Sequence, residues 1–494
     1  MMPSTRRLLS ARSGAVLRGR LALPVLLAGC VGCVGCGLVM ASAAARCDAA
    51  DAVAEEVVGR VDVAPVWAGH SVGFALLTRP ERQYVAFYAA DRHLTVGSRR
   101  LGSPTWEVFR LPSEQAGPPP YATGQTSAVI GWDSHNSIVM AADSAGHLHL
   151  AGNMHCNPLT YWRTREPGEI GSFEQVKQMV GRDEERCTYP VFLTLADGRL
   201  VFQYRSGRSG DGSTFLNIYD VESRAWRRLV DGPVFDGEKK RNAYPLAPVA
   251  GPDGMFHLSW VWREPPDAAA NHDLSYARSR DLASWEDAAG RPLALPIRLA
   301  TEGVVVDPVP VNGGILNGSG RVGFDSQKRP LLAYYKFDAA GKSQASVARW
   351  ENAAWRIVQL SDWDHRFEPA GGGTLPKYEI HVGVVEPGKP GELRLEFGHV
   401  KQGSGVWVLD EDSLAVLRTE PARHRYPRSL WKIESTFPGM TVRYADDSGS
   451  SGDPGRRFIL RWESLGANRD KPREPPWPEP SLLRVVELRG LEEH

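Results

Sequence analysis

Cysteine is scarce wherever it could build structure. Six occur in 494 residues, and Cys30, Cys33, Cys36 and Cys47 crowd into the first 47. That leaves Cys156 and Cys187 for the remainder. A disulfide-built scaffold is excluded, because such folds are short and cysteine-dense. The early C-x-x-C spacing falls in a leader and says nothing about metal. Cys156 and Cys187 could bridge adjacent hairpins in an oxidising compartment or stay as buried thiols; the sequence leaves both open. Net charge is missing as well, with 58 Lys and Arg against 58 Asp and Glu. Without a global field or a basic stripe, a nucleic-acid partner is excluded, and an acidic ligand needs a local basic cluster. Long helical periodicity is absent too. Gly numbers 50, Pro 36 and Trp 15, a mixture that favours many short strands joined by turns.

Residues 1–45 have the pattern of an export leader. Arg6, Arg7, Arg12, Arg18 and Arg20 precede an apolar run over 21–40, and small residues follow at 41–45. Cleavage after Ala45 fits a secretory signal. Leu27-Ala28-Gly29-Cys30 also matches a lipoprotein box, in which a lipid on Cys30 would be the one membrane attachment. The Arg6-Arg7 pair hints at twin-arginine export. By either route the mature chain is expected outside the cytoplasm, periplasmic or secreted.

A pattern then recurs seven times: an alternating strand, a turn, and a second strand rich in Val, Leu, Phe and Tyr. The second strands are YVAFYAA from Tyr84, HLHLAGN from His147, RLVFQYR from Arg199, MFHLSWVWR from Met255, PLLAYYKF from Pro330, ELRLEFGHV from Glu392 and RFILRWE from Arg457. A third strand is expected to end in Trp106, Trp226, Trp285 or Trp355. No such unit can bury both its faces alone, and radial stacking solves that problem. The expected fold is all-β: a seven-bladed β-propeller over 55–494, one monomeric domain after the leader. VVGRVDVAPVW (57–67) would close the ring by joining the last blade. The Pro-rich segment 468–480 is expected to be a surface excursion before the final strand, SLLRVVEL.

Two hairpins carry the chemistry. WDSHNSIVMAADSAGHLHLAGNMHCNPLTYWR (132–163) places His135 before its first strand and His155 after its second. CTYPVFLTLADGRLVFQYRSGR (187–208) places Tyr189 and Arg205 at the same open end. The start of one strand and the end of its antiparallel partner are spatial neighbours, so these four groups can gather at one edge. The Tyr-Pro pair repeats at Tyr244-Pro245, and the next blade's second strand ends in Arg263. Tyr-Pro could equally be a blade-entry device, with Pro fixing φ and Tyr packing between sheets. His147 and His149, alternating with leucines, fit structural roles and are set aside.

The runs HNSIVMAADSAGHLHLAGNMHCNPLTYWR, TYPVFLTLADGRLVFQYRSGRSGDG and HDLSYARSRDLASWEDAAGRPL resemble the BNR-repeat propeller family that includes propeller-type ulvan lyases. The resemblance spans about 70–490 and is strongest over 130–290. It implies β-elimination on an acidic, uronate-containing polysaccharide, the expected partner. It also implies that His135, His155, Tyr189, Arg205 and Tyr244 fall on active-site positions.

These residue types suit a lyase, which removes the C5 proton of a uronic acid and expels the C4 oxygen. Arg205 is expected to neutralise the carboxylate bidentately, with His155 assisting. His135 and Tyr189 are the base and acid, in an order the sequence does not fix. Tyr244 is expected to bind the sugar; Arg208, Arg263 and Asn136 complete the substrate-binding set. No cofactor is required for this chemistry. A structural divalent cation is compatible with it, with donors conceivable at His272-Asp273 or Asp362, Asp364 and His365, but no ligand is assigned. One rival is a glycoside hydrolase or sialidase, which normally needs a carboxylate pair; Asp133 is the lone acid at these blade openings. The other rival is a non-catalytic glycan-binding propeller.

Overall fold

The computed structural model describes residues 55–113, 125–422 and 425–490. The expected leader, with Cys30 and the expected cleavage position after Ala45, lies outside these residues. No helix among the described residues is long and apolar enough to cross a membrane. Among the described residues helix is confined to three single 3₁₀ turns, Ile170–Ser172, Ala268–Ala270 and Arg428–Leu430. The other regular elements of the described residues are strands that pair antiparallel, apart from two isolated parallel bridges, Leu76 with Asp447 and Phe235 with Ile297.

The strands form seven separate sheets in a β-propeller arrangement. Each of the seven repeated sequence segments supplies its sheet's second strand, for example Arg82–Tyr88, Leu200–Arg208 and Pro330–Phe337. First strands of successive sheets approach one another. Val139–Ala142 lies beside both Ala75–Thr78 and Cys187–Thr194, and Arg321–Phe324 lies beside Ile380–Pro387. The ring closes by pairing the chain's two ends: Glu55–Val66 lies antiparallel to Ser481–Gly490, with Val61 opposite Val485. The segment 57–67 thus does what its pattern predicts.

Aspartate turns explain why the hairpins recur. Asp143 accepts the backbone N–H of His147 at 2.9 Å, Asp253 that of Met255 at 3.1 Å, and Asp325 that of Arg329 at 2.9 Å. Such a side chain replaces a backbone turn partner and fixes where strand one becomes strand two. His149 and His257 repeat one further device: Nδ1 meets a tyrosine hydroxyl (Tyr161 at 2.7 Å, Tyr276 at 2.6 Å) and Nε2 meets the turn aspartate. His149 is therefore a satisfied core group.

Large side chains fill the wedges between sheets. Phe74, Phe87, Leu150, Trp162, Phe458 and Trp462 form one apolar cluster across the last, first and second sheets. Val191, Trp260, Trp262 and Trp285 join the third and fourth. The tryptophan expectation needs correcting. Trp226, Trp285 and Trp355 stand at or near the start of fourth strands, Ala225–Arg228, Trp285–Glu286 and Ala354–Gln359, and Trp106 directly precedes Glu107–Arg110. The hairpin turn falls earlier than the apolar pattern suggests, so each indole packs from the outer strand.

Candidate active site

His155 reaches the site through a strand that changes sheets. His155–Asn157 pairs with Cys187–Thr194 of the following sheet, with His155 opposite Thr188. Tyr189 follows immediately, and its pairing with Leu200–Arg208 breaks between Thr188 and Val191. Pro190 cannot donate to a ladder, so a bulge is where it can sit. Tyr189 there adopts φ +56°, and Cys156 φ +61°. Left-handed backbone at bulky residues is uncommon and costs about 1–3 kcal/mol each. The bulge turns Tyr189 toward the two histidines, its ring centroid 5.8 Å from His135 and 6.3 Å from His155.

Asp133 organises the centre. Its Oδ1 accepts the His135 backbone N–H at 2.8 Å and lies 2.8 Å from His135 Nδ1; its Oδ2 lies 2.5 Å from His155 Nδ1. The imidazole rings stack at 4.0 Å. A second carboxylate arrives from the distant tail: Asp470 Oδ2 lies 3.3 Å from His135 Nδ1. Asp470 is itself fixed by the backbone N–H groups of Ser134 at 3.1 Å and Thr374 at 2.8 Å. Arg469 clamps the tail to the carbonyls of Ala370 and Gly372.

This wiring splits the histidines. Burial opposes charge on His135, but the hydrogen bonds and charges of Asp133 and Asp470 outweigh it and raise its pKa to about 9. Burial and the His135 charge push His155 the other way, below the ordinary value. For Asp133, burial would favour the acid form, yet His155 and His135 hold it far below the usual carboxylate range. Asp470 is also lowered: burial raises it, and the His135 hydrogen bond outweighs burial. An ionised Asp133 can only accept. Each Nδ1 therefore donates to it, and His155 keeps its lone pair on Nε2.

Arg205 is 3% exposed. Its Nη2 donates to Thr188 Oγ1 at 3.0 Å and to Cys156 Sγ at 3.4 Å, and its guanidinium lies 4.9 Å from the Tyr189 ring centroid. Nε and Nη1 are enclosed without a partner among the described residues. So placed, Arg205 packs against the Tyr189 ring. Burial works against its charge, but Tyr189 and Tyr244 raise its pKa overall. Tyr244 is buried, its hydroxyl taken by Ser209 at 2.9 Å, Asn242 at 3.3 Å and Arg263. Burial alone would raise Tyr244, and the Arg263 and Arg205 charges lower it. Arg263 stacks 4.1 Å from that ring, so this pair buttresses Tyr189 from behind. Asn136 is 1% exposed, and its carbonyl receives the Tyr88 hydroxyl at 2.7 Å. Arg208 points outward, 67% exposed, with Asp211 at 3.9 Å.

Cys156 and Cys187 are free thiols. For metal, one set of donors converges among the described residues: Asp133, His135, His155 and Asp470, within 4.8 Å of one another. These could hold a borderline divalent ion in principle, but both Nδ1 atoms are already spent on Asp133 at hydrogen-bond distance. His272 is bracketed by Glu264 at 2.8 Å and Asp273 at 2.9 Å, and His365 by Glu379 at 2.8 Å. Asp364 pairs instead with Lys342. Asp470 is the functional group that sequence reasoning missed, together with Thr374. The one available signal was three acids and a Trp inside an otherwise turn-like segment.

The sequence profile of the BNR repeat-containing family matches residues 82–363, more than half of the chain. The protein belongs to the BNR repeat-containing family. No curated protein matches it. Among solved structures, an ulvan lyase representing a new polysaccharide lyase family superposes with a TM-score of 0.55 at 13% identity, over 87% of this chain and 96% of that one. The same enzyme bound to -[GlcA(1-4)Rha3S]- gives the same values. The polysaccharide lyase Uly1 matches with a TM-score of 0.55 at 14% identity, over 88% of this chain and 99% of the other. At such identities the likeness establishes a shared fold for this BNR-repeat chain.

Proposed function

We propose that this protein is an exported polysaccharide lyase that cleaves a uronate-containing polymer by β-elimination at the His135, His155 and Tyr189 centre. We also read its seven sheets as the seven blades of its propeller. One observation carries the proposal: a single aspartate meets the Nδ1 atoms of two stacked histidines beside a tyrosine. A lyase needs a cation, a base and an acid around one sugar, and these three groups can supply them.

The roles follow from the wiring. His135, held as imidazolium by Asp133 and Asp470, faces the uronate carboxylate and stabilises the enolate-like charge that develops there. Arg205 adds a fixed positive field from below Tyr189. His155, neutral with its proton on Nδ1, takes the C5 proton on Nε2. The C5–H electron pair becomes the C4=C5 double bond, the C4–O bond breaks, and Tyr189 gives its proton to the departing oxygen. His155 ends protonated and Tyr189 ionised, and one proton transfer resets both. His135 is thus moved from base to cation, because a group that stays charged up to pH 9 is a poor base at neutrality.

A hydrolase gains a second acid in Asp470, but the pair does not suit one. Both carboxyls are held ionised, whereas a glycosidase keeps one of them protonated as acid. The polymer of the similar lyases makes ulvan the first substrate to try. The test is ultraviolet absorbance from a 4,5-unsaturated product, read for wild type, His155→Ala and Tyr189→Phe. Reducing ends without absorbance would assign a hydrolase, and neither signal across uronate polymers would leave a glycan-binding propeller.

A further inference from the structure

Beside the site stands a cation with nothing to neutralise it. Arg92 occupies the turn between Arg82–Tyr88 and Leu94–Arg100, at φ +70°. Its guanidinium lies 4.1 Å from the Trp67 ring centroid, 4.4 Å from Trp132 and 5.2 Å from Trp477. The three indoles meet edge to face at 5.4–5.8 Å. Among the described residues no carboxylate pairs with Arg92, and its Nη2 is enclosed without a partner. The neighbouring Asp91 is spent on Arg110 at 2.7 Å.

We infer that Arg92 and Trp477 form a second binding site, taking an oxyanion-bearing sugar that flanks the reacting one. The inference rests on the polysaccharide reading above and adds a place where the chain is gripped outside the bond being broken. The indoles fix the plane of the guanidinium before ligand arrives, and with Nη2 enclosed, Nε and Nη1 are the groups left to a ligand. A guanidinium N–H so held suits one oxygen of a carboxylate or a sulfate ester. Trp477 is 42% exposed, so its ring can stack on a sugar while Arg92 takes the anion. The position follows from connectivity. Trp132 immediately precedes Asp133, and Trp477 lies on the same tail segment that delivers Asp470. His70 fills the floor, accepting from Trp67 Nε1 at 2.9 Å and lying 5.7 Å from the Trp132 ring. One polymer could therefore contact the box and the catalytic centre together.

The test is affinity electrophoresis of the mature protein through gels containing ulvan, chemically desulfated ulvan or polygalacturonate. Wild type is compared with Arg92→Gln, Arg92→Lys and Trp477→Ala, and thermal melts establish that each is folded. The inference predicts binding roughly tenfold or more weaker in Arg92→Gln, the scale of a charge-assisted hydrogen bond, with Arg92→Lys intermediate. Trp477→Ala, a change at an exposed ring, should weaken binding by about the same factor as losing one stacked sugar contact. A defect that vanishes on desulfated ulvan identifies a sulfate; one that persists on polygalacturonate identifies a carboxylate. Folded Arg92→Gln and Trp477→Ala proteins that bind all polymers within twofold of wild type would overturn the inference. So would a wild type retarded by none of them. Because retardation needs no turnover, a protein that binds through Arg92 yet forms no unsaturated product would refute the lyase reading alone.

Discussion

Replacing Asp470 with Asn isolates one charge in the central network. The carboxylate sits 3.3 Å from His135 Nδ1, with side-chain exposures of 12% and 20%. Two unit charges about 4 Å apart interact by ~1 kcal/mol in water and ~4 kcal/mol at an effective dielectric of ~20. Asn keeps part of the hydrogen bond, so a loss of about 1–3 kcal/mol is expected, or roughly one to two pK units. His135 should then titrate one to two units below its present value of about 9. The sign of the stability effect follows. A raised folded pKa stabilises fully below the unfolded value of 6.5, and that stabilisation fades as pH climbs through 9. The variant should therefore be destabilised most near pH 6 and least above pH 9. The assay is the pH profile of kcat/KM on the cleaved polymer, whose alkaline limb should move down by one to two units. Imidazole NMR titration gives the same pKa without turnover. An unmoved limb together with an unmoved His135 titration would refute the reasoning.

Other outcomes follow from the same geometry. His155→Ala should lower kcat by about 10²–10⁴, the usual worth of a positioned base, measured by product absorbance with binding checked separately. Arg205→Lys should lower kcat by about tenfold or more with little change in KM, because the planar cation beneath Tyr189 is replaced by a point charge; an equal rise in KM would put Arg205 on the substrate instead. Exhaustive chelation should leave both activity and melting temperature unchanged, and a loss of either would show that the Asp133, His135, His155 and Asp470 set holds a cation. Trp262→Ala, deep between the third and fourth sheets, should cost about 3–5 kcal/mol in denaturant melts.

The seven sheets were legible because each carries its own strand pattern, and several an aspartate turn, signals local enough to read along the chain. His135, His155, Tyr189 and Arg205 were legible for a related reason: antiparallel pairing brings hairpin ends together. Their electrostatic setting was not, since it depends on Asp133 and on a carboxylate more than 300 residues away in sequence, and no local pattern encodes that approach. Asp470 sits in a Pro-rich stretch that looks like a surface excursion; only ring closure by Glu55–Val66 and Ser481–Gly490 brings that stretch over the site. The burial of Arg205 and Tyr244 was not legible, because burial at a strand end depends on the neighbouring sheet. Trp226, Trp285 and Trp355 were placed one strand early because the turns before them, 221–224, 280–284 and 352–353, carry no Gly or Pro.

The most direct test of the central claim is ultraviolet absorbance during incubation with ulvan and other uronate polymers. Wild type, Tyr189→Phe and His155→Ala should be run side by side. The account predicts a rise for wild type and a rate at least a hundredfold lower in each variant, with both still folded and still bound to polymer. Wild-type rates in either variant, or reducing ends released without any absorbance, would contradict it.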